Sequence, residues 1–189
     1  MKFGLFYLPT CLPAVRDVQT HYRGVIEQVE FADQIGIDYA WIVEHHFVRH
    51  GGLFPSNYAF LSYLAARTKR IRLGTGATVL PLNDPVRVAE QAATLDQLSQ
   101  GRFDFGVGRG FIRDEFEAFG VDMKDSRERV EEGVELVLDA GRQAFQWPQI
   151  GGTDGISRLS LARVGQFDGQ GVPKAHLPPL AQTVENEDP

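Results

Sequence analysis

Short apolar runs alternate along this chain with longer stretches in which apolar residues return every three or four positions, the spacing of a helix face. Residues 2–8 are rich in β-formers and stop at Pro9, which predicts a first strand, and residues 10–20 read as loop. From about His21 a stripe of Val25, Val29, Ala32 and Ile35 predicts a helix that stops at Gly36. Residues 37–43 are a second strand, followed by a Gly-containing loop over 47–55. Residues 56–67 read as a second helix, with Ser56 at its N-cap and Ala59, Phe60, Tyr63, Leu64 and Ala66 packing. A third strand over 71–75 continues through Gly76 and Ala77 to Pro81.

Asp84-Pro85 starts a third helix running to about Ser99, because Asp caps free amides and Pro at the first helical position has no amide to lose. Gly101 closes it in a left-handed conformation. Residues 103–107 form a fourth strand, the loop Gly108-Arg109-Gly110 follows, and a short helix spans 114–119. Ser126 opens another helix whose stripe of Val130, Val134, Val137 and Leu138 runs towards Phe145. Four strand-then-helix units in succession imply right-handed crossovers and a parallel sheet. The fold class is α/β, either an open doubly wound sheet or part of a (β/α)8 barrel. After Trp147 the chain turns rich in Gly, Pro, Gln and Asp with no sustained period. Residues 1–147 therefore read as the folded unit and 148–189 as an irregular tail, with one short strand at most, over 156–164.

Composition narrows the function. With 43% hydrophobic and 23% charged residues, the 189-residue chain can bury one sizeable core. A net charge of −6 argues against a surface built to neutralise nucleic-acid phosphates. Cys11 is the only cysteine, which excludes an intrachain disulfide and a thiolate metal cage. The apolar start is too short for a signal peptide and no later run approaches a membrane span, so a cytoplasmic protein is expected.

The chemistry gathers where an apolar strand breaks into Glu44-His45-His46. In α/β folds ligands collect at the carboxyl ends of strands. An imidazole there can act as acid or base near neutral pH. With Glu44 and His50 the pair could instead bind a metal, or the imidazoles simply bond loop backbone. On these residues alone the plain structural reading leads. The metal comes last, because neighbours on an extended strand point opposite ways. Gly106-Val107-Gly108-Arg109-Gly110 could let a ligand approach the backbone while Arg109 offers a fork for phosphate, although such a stretch is also an ordinary turn. Gly74-Thr75-Gly76-Ala77 reads first as a bulge, and Asp114 and Glu115 as a solvated helix start.

Taken together, Lys2-Phe3-Gly4, Trp41 through Phe47, Gly74-Thr75, Val79-Leu80-Pro81, Pro85-Val86-Arg87, Leu95-Asp96-Gln97, Gly101-Arg102-Phe103, Phe105-Gly106, Arg109-Gly110, Phe119-Gly120, Asp122-Met123 and Ser126-Arg127 resemble, in order and spacing, the luciferase-like flavin-dependent monooxygenase family. The resemblance covers residues 1 to about 145. It implies the N-terminal half of a (β/α)8 barrel, with reduced FMN, or alternatively the deazaflavin F420, at the carboxyl ends of the strands. Dioxygen and an aldehyde or another small organic molecule would be co-substrates, an external flavin reductase the source of reduced flavin, and a homo- or heterodimer the assembly. By position, His45 matches the catalytic histidine and Glu44 the carboxylate beside it. Gly76-Ala77 matches a non-prolyl cis peptide near the flavin ring, and Arg109 the arginine that pairs with the flavin phosphate. Glu115 stands at an acidic position implicated in flavin binding, and Gly108 where luciferases carry a reactive cysteine. The Ser/Thr-rich loop that completes the phosphate site in the family has no counterpart after Trp147, and the composition break there reads as truncation. A non-catalytic flavin-binding or dimerisation half-barrel is the alternative function, and a metal hydrolase using His45, His46 and His50 a distant third.

Overall fold

A computed structural model describes residues 1–10, 17–49 and 51–144. Cys11, His50, Trp147 and the expected tail over 148–189 lie outside them. The strands are β1 (Gly4–Tyr7), β2 (Tyr39–Ile42), β3 (Arg72–Thr75), β4 (Thr78–Val79), β5 (Phe103–Asp104) and β6 (Val107–Gly108). The helices are α1 (Val18–Ile35), α2 (Asn57–Arg67), α3 (Pro85–Ser99), α4 (Arg113–Ala118) and α5 (Ser126–Ala144), with 3-10 turns at Leu80–Leu82 and Met123–Asp125. The principal sheet is four-stranded in the order β1-β2-β3-β5. Every pairing in it is parallel, with Gly4 opposite Tyr39, Tyr39 opposite Arg72 and Leu73 opposite Phe103. The four expected strand–helix units are therefore present, and β1 and β5 each have one strand partner among the described residues.

Local chemistry accounts for most boundaries. Asp17 accepts the Thr20 N–H at 2.9 Å and starts α1 three residues before the predicted His21. The apolar stripe begins only at Val25, so periodicity hides that polar first turn. Gly36 ends the helix at φ 93°, as expected. Asp84 caps α3 through the Arg87 N–H at 2.9 Å, with Pro85 behind it. The left-handed residue at the other end is Gln100 (φ 57°) as well as Gly101 (φ 76°). Ser56 occupies the N-cap of α2 without a side-chain cap bond. That helix buries Tyr58, Phe60, Leu61, Leu64 and Ala65, whereas Ala59, Tyr63 and Ala66 are exposed. Its packing face is thus rotated from the predicted one, towards Phe54, which lies in the preceding loop, is fully buried and stacks on Phe60 at 4.7 Å.

The third and fourth strands are each cut in two. A Cβ added at Gly106 would lie 2.1 Å from the Thr75 carbonyl oxygen, so the two chains cross here at a distance only glycine allows. Thr75 Oγ1 donates to Gly106 O at 2.7 Å and accepts the Gly106 N–H at 2.8 Å. Beyond this junction β4 pairs with β6 as a separate two-stranded parallel ladder.

Alternation along the strands separates the two faces of the sheet. One face contributes Ala40, Ile42, Leu73 and Phe103 to a core with Val25 and Val29 of α1, Leu61 and Leu64 of α2, Val88 and Leu95 of α3 and Val137 of α5. The other carries Phe6, which is 61% exposed, the stacked rings of Tyr39 and Trp41, and the two-pronged pair of Arg72 with Asp104 at 2.6 and 2.9 Å. The amino ends of the strands are tied by Asp33, which accepts the N–H groups of Lys69, Arg70 and Ile71, and by Arg102, which donates to the carbonyls of Ala65, Thr68, Ile71 and Ser99. Burial pushes the Arg102 guanidinium below its ordinary pKa. Among the described residues, no helix is long and apolar enough to cross a membrane.

Candidate functional site

The carboxyl ends of the strands carry the predicted residues. Parallel pairing sets Ile42 of β2 beside Thr75 of β3, so Glu44-His45-His46 and Gly76-Ala77 leave neighbouring strands at the same end of the sheet. Arg109 follows β6 directly and Glu115 lies on α4.

Glu44 is 4% exposed and turns inward. Its Oε2 accepts the Val79 N–H at 3.0 Å, while Oε1 accepts the Asn83 amide at 2.8 Å and meets His46 Nε2 at 2.9 Å. It joins the end of β2 to β4 and to the turn before α3. Glu115 is fully buried. Its Oε1 accepts the His46 backbone N–H at 2.7 Å and lies 3.0 Å from His45 Nδ1. It is therefore not the solvated helix start that its surroundings in the sequence suggest.

Each imidazole thus has its own carboxylate, His45 with Glu115 and His46 with Glu44. Among the described residues no group of three or more His, Cys, Asp or Glu side chains converges as metal ligands do, and His50 of the proposed metal set lies outside them. The side chains of His45 and His46 are 13% and 11% exposed. Phe111 meets the His45 ring edge-on at 6.0 Å, and Phe119 meets that of His46 at 4.7 Å. Phe111 and Phe47, the latter at φ 59°, are largely exposed beside the histidines.

The Gly76–Ala77 peptide bond is cis, as the resemblance implied. Gly76 packs under Phe6 and Trp41, where an added Cβ would stand 3.0 and 3.2 Å from their side chains. Gly108 lies against Ala77, with 3.3 Å between an added Cβ and that of the alanine. The three residues form a surface with little side-chain relief. Arg109 is exposed and has no hydrogen bond or ion pair among the described residues. Below the site, burial lifts the Tyr58 hydroxyl well above its ordinary pKa. Its bond to Thr78 Oγ1 at 3.0 Å opposes this and the Glu44 charge adds to it, so Tyr58 stays neutral.

Sequence reasoning named both histidines, both carboxylates, Arg109 and the Gly76-Ala77 bond. It missed Asn83 and the Val79 N–H as partners of Glu44, and Phe111 and Phe119 as walls. Asn83 adjoins the Asp84-Pro85 helix start, where an amide reads as one more turn residue. Nothing in the local pattern marks Phe111.

A family model described as luciferase-like monooxygenase matches residues 1–182, past the point near residue 145 where the motif resemblance ends. The chain is 37% identical over 145 residues to the alkanal monooxygenase alpha chain of Photorhabdus luminescens, covering 77% of this chain and 40% of that protein. A monooxygenase crystal structure from Streptomyces bottropensis superposes with a TM-score of 0.71 at 44% identity, over 72% of this chain and 42% of that one. The oxygenating constituent of 3,6-diketocamphane monooxygenase from Pseudomonas putida, solved in complex with FMN, shares the fold with a TM-score of 0.71 at 24% identity, over 76% and 40% of the two chains. The chain spans about 40% of the length of these relatives and holds part of a (β/α)8 barrel. With its four parallel strand–helix units and a family match over nearly its whole length, this chain belongs to the luciferase-like monooxygenase family.

Proposed function

We propose that the chain carries the histidine-bearing part of a flavin-dependent monooxygenase site, which uses reduced FMN and dioxygen to oxidise an aldehyde or another small organic substrate. One observation carries this reading: two imidazoles, each held at one ring nitrogen by a buried carboxylate, sit at the same end of the sheet as Arg109, an exposed arginine with no hydrogen bond or ion pair among the described residues. The residues present fit a flavin nucleotide. Gly76, Ala77 and Gly108 offer a low surface for a planar ring, and Arg109, without a partner among the described residues, offers a fork for a terminal phosphate. Reduced flavin supplies the electrons and the reaction with dioxygen, which side chains alone cannot.

The protein's own part follows from its geometry. Arg109 anchors the phosphate, the glycine-lined surface receives the ring, and His45 holds or moves a proton at Nε2. Glu44 acts from behind by locking β2 to β4, so its contribution to cofactor binding is made through the backbone it holds. Phe47 and Phe111 provide an apolar rim that suits a substrate with a hydrocarbon portion and helps to keep water from the reacting atoms. Dimerisation and supply by an external reductase come from the resemblance.

The test is anaerobic titration of the chain with reduced FMN, and in parallel with reduced F420, followed by admission of oxygen and an aldehyde. Saturable binding of FMN, weakened at least tenfold in Arg109→Ala, with product formation lost in His45→Ala, is expected. Absence of flavin binding by a cooperatively folded chain refutes the reading. The second reading is a non-catalytic flavin-binding or dimerisation half-barrel. It is favoured by β1 and β5 each having one strand partner among the described residues, and it predicts FMN binding with no product from wild type or variant.

A further inference from the structure

The oxygen Glu115 Oε1 serves two groups at once, and this decides which nitrogen of His45 carries hydrogen. It accepts the His46 backbone N–H at 2.7 Å, so it faces the histidines as an acceptor. Its contact with His45 Nδ1 at 3.0 Å is then a hydrogen bond only if Nδ1 is the donor. In its neutral form the ring is then the Nδ1–H tautomer, with the lone pair at Nε2. The neighbouring ring is held the opposite way. His46 Nε2 meets Glu44 Oε1, which already accepts from Asn83, so there the hydrogen sits on Nε2.

We infer that Glu115 is a positioning residue, which acts on the reaction through His45 by fixing its tautomer and ring orientation instead of touching the flavin. Three further observations support this. Glu115 is fully buried, so no part of it reaches an open surface. Its second oxygen, Oε2, is buried with no hydrogen-bond partner among the described residues, so every bond the carboxylate makes is to the His45-His46 segment. Phe111, from the loop just before α4, braces the same ring edge-on, so one stretch of chain sets both its tilt and its proton. A carboxylate behind an imidazole also provides the counter-charge when Nε2 takes up a proton, the arrangement by which buried carboxylates orient catalytic histidines. The importance of Nε2 rests on the proposed flavin reading, whereas the tautomer does not.

The experiment is ring 15N–1H correlation spectroscopy of the full chain without flavin, at about pH 9, above the ordinary imidazole range. His45 signals are assigned by their loss in His45→Asn. Wild type is expected to show the Nδ1–H pattern. Glu115→Gln keeps an oxygen in place of Oε1 and retains that pattern. Glu115→Leu removes the acceptor and shifts His45 to the Nε2–H form usual in water. An Nε2–H pattern in wild type overturns the inference. So does an unchanged pattern in a folded Glu115→Leu chain; should that variant not fold, loss of the Nδ1–H pattern in Glu115→Gln overturns it equally. Flavin titration of the same samples separates the two proposals, since a chain with the Nδ1–H tautomer and no flavin affinity would refute the function while leaving this role standing.

Discussion

Glu44→Gln exchanges one oxygen for an amide group and leaves shape nearly unchanged, so its cost isolates the ionised carboxylate. If the amide oxygen takes the place of Oε1, the bonds from Asn83 and His46 survive, while the new NH2 faces the Val79 N–H, donor against donor. If the oxygen takes the place of Oε2, the NH2 faces two donors. His46 can change tautomer to accept, but Asn83 cannot, because its Nδ2 is also bonded to the Val79 carbonyl at 2.9 Å. The first orientation is therefore preferred. It loses one charge-assisted bond and leaves one buried N–H unsatisfied, for a destabilisation of about 2 kcal/mol. Glu44→Leu strands all three donors and costs about 3–5 kcal/mol. Urea unfolding followed by circular dichroism reads this directly. With a slope of about 2 kcal/mol/M, the glutamine variant should unfold about 1 M earlier at unchanged slope. A shift below about 0.25 M would refute the assignment of Glu44 as an ionised three-way acceptor.

Gly106→Ala is expected to destabilise by about 1–3 kcal/mol or more, because its Cβ would be driven to 2.1 Å from the Thr75 carbonyl, a backbone atom that cannot swing aside. An unaltered melting curve would contradict the close crossing of β3 and β5. Tyr7→Phe should change stability by no more than about 1 kcal/mol near neutral pH, since the Tyr7 hydroxyl is buried without a partner among the described residues. Burial pushes that hydroxyl up to about 12, against about 10 in the unfolded chain. The folded state therefore binds the extra proton between these values, and wild type loses stability as pH rises through that window. The phenylalanine variant should escape this loss. Unfolding free energies for the two proteins that run parallel from pH 9 to pH 12 would refute it.

Elements with local causes were legible in the sequence, and those set by distant partners were not. The stripe of Val25, Val29 and Ala32, the Asp84-Pro85 start and the Gly36 stop are encoded within a turn or two of the residues they affect. The division of the fourth strand is not, because it follows from the Thr75 carbonyl passing over Gly106, and that neighbour lies 31 positions away in the chain. The rotated face of α2 likewise depends on Phe54, a loop residue that periodicity cannot weigh. At the site, the position of His45 at a strand end pointed to chemistry, and family resemblance supplied the rest of the named set. The pairing of His45 with Glu115 and of His46 with Glu44 could not be read, since adjacent residues were committed to carboxylates on opposite sides by the tertiary fold.

The sheet order β1-β2-β3-β5 repeats the order in which the strands leave the ribosome. Within this sheet each strand docks on one already made, so its assembly can keep pace with synthesis, whereas β4 waits for β6. The groups around His45 come from the end of β2, the start of β4 and α4, all within the first 118 residues. By the time α5 emerges, the two histidines already have their carboxylates. The carboxyl end of the sheet is thus among the earlier structures to form, and later segments add to a surface whose two histidines are already held.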